Sequence, residues 1–230
     1  MAAAKPASKN DVPARTTRLS GAVRRTHPTR TTRVTRAPRA DNRVLQVLDA
    51  AATQFAAKGF QAASIRAIVK AVGMLPGSLY YHFANKDELL AAVYGEGVRR
   101  ISAAVGAAVE REIDPWLRLE AACVAHLESL VARSPYAKVV ISVQPGDVPP
   151  AANVLIALRD GYEQRFVDLI AALPLPARLR DRKTRRTLRM LLLGALNWAP
   201  TWYDPGHGPG GASPKRIAHD YLQLLRAELA

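Results

Sequence analysis

Apolar positions recur at helical spacing along nearly all of the chain after residue 41. Val44, Leu45, Leu48, Ala51, Ala52 and Phe55 stand at i, i+1, i+4, i+7, i+8 and i+11. That amphipathic stripe predicts a helix over 42–58, stopped by Gly59. Leu90, Val93, Tyr94, Gly97, Val98, Ile101, Val105 and Ala108 keep the period and predict a helix over 86–109, about 30 Å long. Asp114-Pro115 opens another, with Trp116, Leu119, Cys123, Leu127 and Leu130 on one side, and Ser134-Pro135 ends it. A shorter helix is predicted over 136–143 and a loop over 144–150, by its turn residues. Leu155, Leu158, Tyr162, Phe166, Leu169 and Leu173 share a phase over 152–173, before Pro174 and Pro176. The segment 178–203 begins rich in arginine and then turns apolar nearly all round, from Leu188 to Ala199. Such a helix must be covered on every face, so one face is expected to meet a partner subunit. A last helix is predicted over 214–229. The fold class is all-α, with about nine helices.

The stretch 64–86 has finer grain. Ser64 suits an N-cap, with Ile65 and Ile68 at helical spacing behind it. Gly73 can take the left-handed conformation that turns a chain. Pro76 suits the first turn of a second short helix. Leu79 and Phe83, four apart, share an inward face. Asn85 can cap the next helix, with Glu88 as its capping-box partner. Two short helices joined by a tight glycine turn form a helix-turn-helix, whose second helix enters the DNA major groove. Pro76-Gly77-Ser78 is small enough to bring backbone amides close to phosphates, and Tyr80, Tyr81, His82 and Lys86 surround it with phosphate donors.

The run from Gly73 to Leu90 (GMLPGSLYYHFANKDELL) resembles the signature of the TetR family of bacterial transcriptional regulators. The resemblance is close over about 43–94; beyond that it lies mainly in length and helical pattern. It implies a three-helix DNA-binding domain over 41–88 and a ligand-binding and dimerisation domain over 89–230, whose last two long helices build a four-helix interface with their mates. It implies that Ser64, Tyr81, His82 and Lys86 bind phosphates. Arg66, Pro76, Gly77 and Tyr80 would approach base edges beside Ser78, with Arg66 the strong guanine reader. Two positions depart from the family pattern. Leu75 stands where Ser or another polar residue is frequent, which leaves the second helix without a polar cap, at a cost of about 1 kcal/mol. Val69 replaces a frequent alanine at the helix contact.

Charge sharpens the picture. The net charge is +14, but residues 1–40 hold ten of the 33 Lys and Arg and a single acid, Asp11. Without periodicity and rich in Ala, Arg, Thr and Pro, this stretch is expected to be a disordered basic arm, either following DNA or raising non-specific affinity. The single cysteine, Cys123, excludes an internal disulfide and suits a reducing cytoplasm. No apolar run reaches the roughly 18 residues of a membrane span, and the N-terminus has no secretory apolar core. The expected location is cytoplasmic, with no membrane partner.

No catalytic constellation stands out. Apart from Cys123, three residues before His126, no Cys or His stands three or four residues from any of the five histidines, so no metal site is completed, and no Gly-x-Ser-x-Gly elbow occurs. No cofactor, metal or enzymatic activity is expected. Trp116, Tyr136, Tyr162, Phe166, Trp198 and Trp202 sit among aliphatics on several helices, with His126 and Asn197 near them. They are candidates to line an apolar ligand cavity, since bundle interiors host such sites. The run Leu193-Gly194-Ala195-Leu196-Asn197-Trp198, with Trp202-Tyr203-Asp204-Pro205-Gly206, resembles TetR-family repressors of fatty-acid, steroid or aromatic catabolism. Several of those respond to acyl-CoA thioesters. The arginines between Arg178 and Arg189 would then receive CoA phosphates or simply form a solvated helix start. The expected function is a homodimeric, ligand-responsive repressor, released from a palindromic operator by an apolar or acyl-CoA-like effector. The competing readings are a non-specific DNA-compacting protein driven by the basic arm, and a helical acyl-ligand-binding enzyme.

Overall fold

The structure, a computed structural model, describes residues 39–204 and 212–229. Almost all of the basic arm predicted over 1–40, and His207 in its loop, lie outside the described residues. Among those described, nine α-helices and three single 3-10 turns account for all regular structure, and no strand occurs.

Helix α1 (Arg39–Ala62) carries the first apolar stripe and is broken where the sequence places its end, at Gly59 (φ 76°). Helix α2 (Ile65–Ala71) and helix α3 (Pro76–Tyr80) flank a turn in which Gly73 is left-handed (φ 62°). Helix α4 (Lys86–Val109) has both predicted ends. Asn85 caps it by accepting from the Glu88 amide at 2.8 Å, while the Glu88 carboxylate accepts from the Ala84 amide at 2.7 Å. The predicted pair Asn85/Glu88 therefore forms, with the return bond landing on the amide one residue before the cap. Ser64 does occupy the N-cap of α2 in extended conformation, but its hydroxyl makes no capping hydrogen bond.

Helix α5 (Pro115–Val131) opens where Asp114-Pro115 predicts, with Asp114 accepting from Trp116 and Leu117; Ser134, read from the sequence only as a helix end, caps α6 (Pro135–Ser142) by accepting from Ala137. The predicted loop 144–150 is two successive 3-10 turns, Pro145–Asp147 and Pro149–Ala151. Helix α7 (Ala152–Ala171) follows. Helix α8 (Arg182–Trp202) starts later than predicted, because Asp181 caps it by accepting from the Thr184 amide; Arg178 belongs to a separate 3-10 turn. Helix α9 (Pro214–Leu229) ends the described chain.

Two apolar clusters share α4. Its first half (Leu89, Leu90, Val93, Tyr94) packs with α1–α3, with Tyr136 and Val139 on α6, and with Val143 just after it. Its second half (Ile101, Val105, Val109) packs with α5, α7, α8 and α9. Helices α4 and α6 also touch without an intervening side chain: a Cβ on Gly97 would stand 2.7 Å from Val140 Cγ2 and 3.2 Å from the Tyr136 carbonyl oxygen.

Candidate nucleic-acid interface and ligand cavity

The first site is the outer face of α2 and α3. Leu79 and Phe83 are buried, as their spacing predicts, in the apolar cluster that also takes residues of α1, α2 and α4. That fixes which residues point out. Ser64, Arg66, Pro76, Gly77 and Ser78 are exposed, Tyr80 is half exposed, and Tyr81 is 88% exposed. The Tyr81 ring stands edge-on to His82, centroids 5.3 Å apart, and His82 leans back on Phe83. Seven of the nine residues predicted to meet DNA are therefore exposed, while His82 and Lys86 are half-buried. Lys86 donates to the Gln61 carbonyl at 3.0 Å and its ammonium stands 4.7 Å over the Phe60 ring. Desolvation lowers its pKa, opposed by Asp87. It ties the start of α4 to the end of α1. Two residues outside the predicted set are exposed beside it in the chain: Lys70, four residues after Arg66, and Leu75, at 76% exposure.

The second site is a cavity of about 140 Å³ walled by α4, α5, α6, α7 and α8. Most of its wall is aliphatic, from Val98, Ile101, Val140 and Leu193 among others. One end is polar, with His126, Tyr162, Asn197, Arg159 and Glu163. His126 is buried, with Nδ1 2.7 Å from the Tyr162 hydroxyl and Nε2 3.0 Å from Asn197 Oδ1. An amide oxygen only accepts, so Nε2 carries the proton and Nδ1 accepts from Tyr162. Burial lowers the His126 pKa to about 4 despite the Asn197 bond. Burial likewise raises the Tyr162 phenol. Both stay neutral. Phe166 is fully buried beneath them, 5.8 Å from His126 and 5.7 Å from Tyr162, centroid to centroid.

Of the predicted ligand residues, His126, Tyr162 and Asn197 line this cavity and Phe166 supports it. The other four lie elsewhere. Trp116 packs on the body core under the Arg226 guanidinium. Trp198 and Trp202 lie on the outer face of α8. Tyr136 is buried on α6, with its ring 4.1 Å beneath the Arg100 guanidinium and its hydroxyl donating to Asp49 on α1 at 2.9 Å. Helical phase shows whether these aromatics face inward or outward; it carries no signal for which inward faces surround a void. Arg159, one turn before Tyr162, and Glu163, next to it, are charged residues that an aromatic criterion misses. Within the arginine cluster, Arg189 is paired with Glu163 and Arg180 donates to the Leu175 carbonyl. Cys123 is buried and desolvation raises its thiol pKa, which suits a packing role.

Among the described residues, no His, Cys, Asp or Glu group could hold a metal ion, and no helix is long and apolar enough to cross a membrane. Residues 47–93 match the profile of bacterial regulatory proteins, tetR family, and residues 112–229 that of the tetracyclin repressor-like C-terminal domain. The chain belongs to the TetR family. The HTH-type transcriptional repressor KstR2 of Mycolicibacterium smegmatis is 30% identical to this TetR-family chain over 189 residues, covering 78% of it and 87% of the relative. The superantigen PfiT superimposes with a TM-score of 0.69 at 27% identity, over 81% of this chain and 97% of that one. AibR, solved with isovaleryl coenzyme A and operator DNA, superimposes with a TM-score of 0.61 over 79% of this chain and 97% of that one; at 21% identity it is a likeness of fold. The relatives that give this chain its family are regulators of transcription.

Proposed function

We propose that this TetR-family protein is a homodimeric repressor that sits on a palindromic operator and leaves it when a small acyl-type effector occupies the cavity. The observation that carries the reading is the route of α4 and α6. Each helix lends one part of its length to the cavity wall and another to the packing of the α1–α3 head. An event in the cavity therefore reaches the head through packed elements, as coupling between two sites requires.

The division at 88/89 names two functions that α4 joins. Ser64, Arg66, Pro76, Gly77, Ser78, Tyr80, Tyr81, His82 and Lys86 form the DNA-facing set, with Arg66 reading guanine and the hydroxyls and cations holding phosphates. The cavity takes the buried end of the effector. Its volume is close to that of a cavity of about 150 Å³ that binds benzene, so a group of five or six carbons fits. His126 commits both ring nitrogens to protein partners, which leaves the Asn197 amide protons as donors to a carbonyl. An isovaleryl-type thioester, the ligand class present in the AibR complex, meets both conditions. The protein acts by binding, without turning the effector over.

The deciding experiment titrates the full chain onto DNA from upstream of its own gene and onto scrambled DNA, at about 150 mM salt, where sequence-independent binding is weakened. The expected preference is ~10³ or more, abolished by a short branched acyl-CoA and spared by free CoA. Equal binding to both DNAs would point instead to compaction driven by the ten basic residues of 1–40. Hydrolysis of the thioester would point to an enzyme.

A further inference from the structure

Leu75 is 76% exposed. It stands immediately before α3 in extended conformation (φ −83°, ψ 148°) and offers that helix no capping oxygen. The free protein gains nothing from it: a capping bond is forgone and an isobutyl group is left in water. Its neighbours are as reticent. Pro76 is exposed and has neither an amide proton nor a polar side chain, Gly77 is exposed and has no side chain, and Leu79 is turned inward and fully buried. Polar groups on this face come from Arg66 and Lys70 on α2 and from Ser78, Tyr80 and Tyr81. The leading edge of α3 is an apolar tip set among donors.

In the major groove the base pairs offer hydrogen-bonding edges and one apolar feature, the C5 methyl of thymine. An exposed leucine at the tip of a recognition helix is complementary to that feature and to no other base edge. We propose that Leu75 is a specificity-determining residue that reads the 5-methyl group of one thymine in each half-site of the operator. This rests on the head being a sequence-specific DNA reader. It adds a contact that the hydrogen-bonding set from Ser64 to Lys86 does not supply.

The test removes only the methyl. The full chain selects its operator from random duplex DNA, and each thymine of each half-site is replaced in turn by uracil, which keeps pairing and every hydrogen-bonding group. The wild-type protein is expected to lose about three- to fivefold in affinity at one thymine per half-site, the worth of one buried methyl, and little elsewhere. Leu75→Ser is expected to bind the thymine and uracil operators equally, near the wild-type affinity for the uracil form. Serine can cap α3, so this variant melts no lower than wild type and a folding defect is excluded. Leu75→Ala is expected to give the same indifference without the added cap. Methyl dependence at no thymine, or dependence that persists in both variants, overturns the proposal and leaves the repressor reading intact. Failure to select any sequence overturns both.

Discussion

A histidine with a pKa near 4 is a liability in acid. Unfolded, His126 titrates near 6.5, so between pH 6.5 and 4 the unfolded chain takes up a proton that the folded chain refuses. Stability therefore falls as pH falls through that window, by about 2 kcal/mol from pH 7 to 5. Urea melts at the two pH values measure it, and His126→Gln should remove most of the difference. Glu96 works in a lower window. Hydrogen bonds from Arg99 and Arg100 hold its carboxyl at about 2, so its contribution is present above the ordinary carboxylate range and fades only below it. At the DNA face, Arg66→Ala should relax the preference at one base position per half-site by about 1–3 kcal/mol while other positions keep theirs; equal loss on every sequence would make Arg66 a phosphate contact. Single residues were legible where local chemistry decides them, as at Asp114, Asn85 and the uncapped Leu75. They were illegible where a distant partner decides. Nothing near Lys86 in the sequence announces the Gln61 carbonyl, and nothing near Tyr136 announces Asp49.

Helix α4 was readable because its cap and its apolar stripe agree. The start of α8 was not, since 178–187 carries arginines but no apolar period, and the deciding signal was the single side chain of Asp181. At this scale the most constrained point is the crossing of α4 and α6. Gly97→Val should force them apart, because its Cβ alone would meet Val140 at 2.7 Å. The expected cost is about 1–3 kcal/mol, read as a lower melting temperature, with weaker operator binding because α6 also anchors α1. Unchanged melting would show that the crossing has room to relax. The cavity was the least legible feature of all. A void is defined by what five helices fail to fill, and no helix records that in its own sequence.

As a monomer the molecule is incompletely covered. Met190, Leu191, Trp198 and Trp202 on α8 and Leu224 on α9 are exposed, Trp198 to 66%. The apolar surplus of α8 was legible in the sequence; which residues would be left uncovered was not. Trp198→Glu should yield a monomer in analytical ultracentrifugation and weaken operator binding far more than non-specific binding, since two heads no longer act together. A variant that stays dimeric would place the interface elsewhere. Removing residues 1–38 should flatten the salt dependence of DNA binding, with the slope reduced by about 0.9 for every phosphate the arm had neutralised. An unchanged slope would show that the arm does not touch DNA.

Val140 bounds the cavity, and one turn before it on the same helix Tyr136 holds Asp49 of α1. A guest that fills those 140 Å³ packs against that wall and so bears on the helix that holds α1. Binding and induction are then one event. Among related thioesters, affinity and inducing power should rise together up to the acyl size that fills the void, and fall together beyond it.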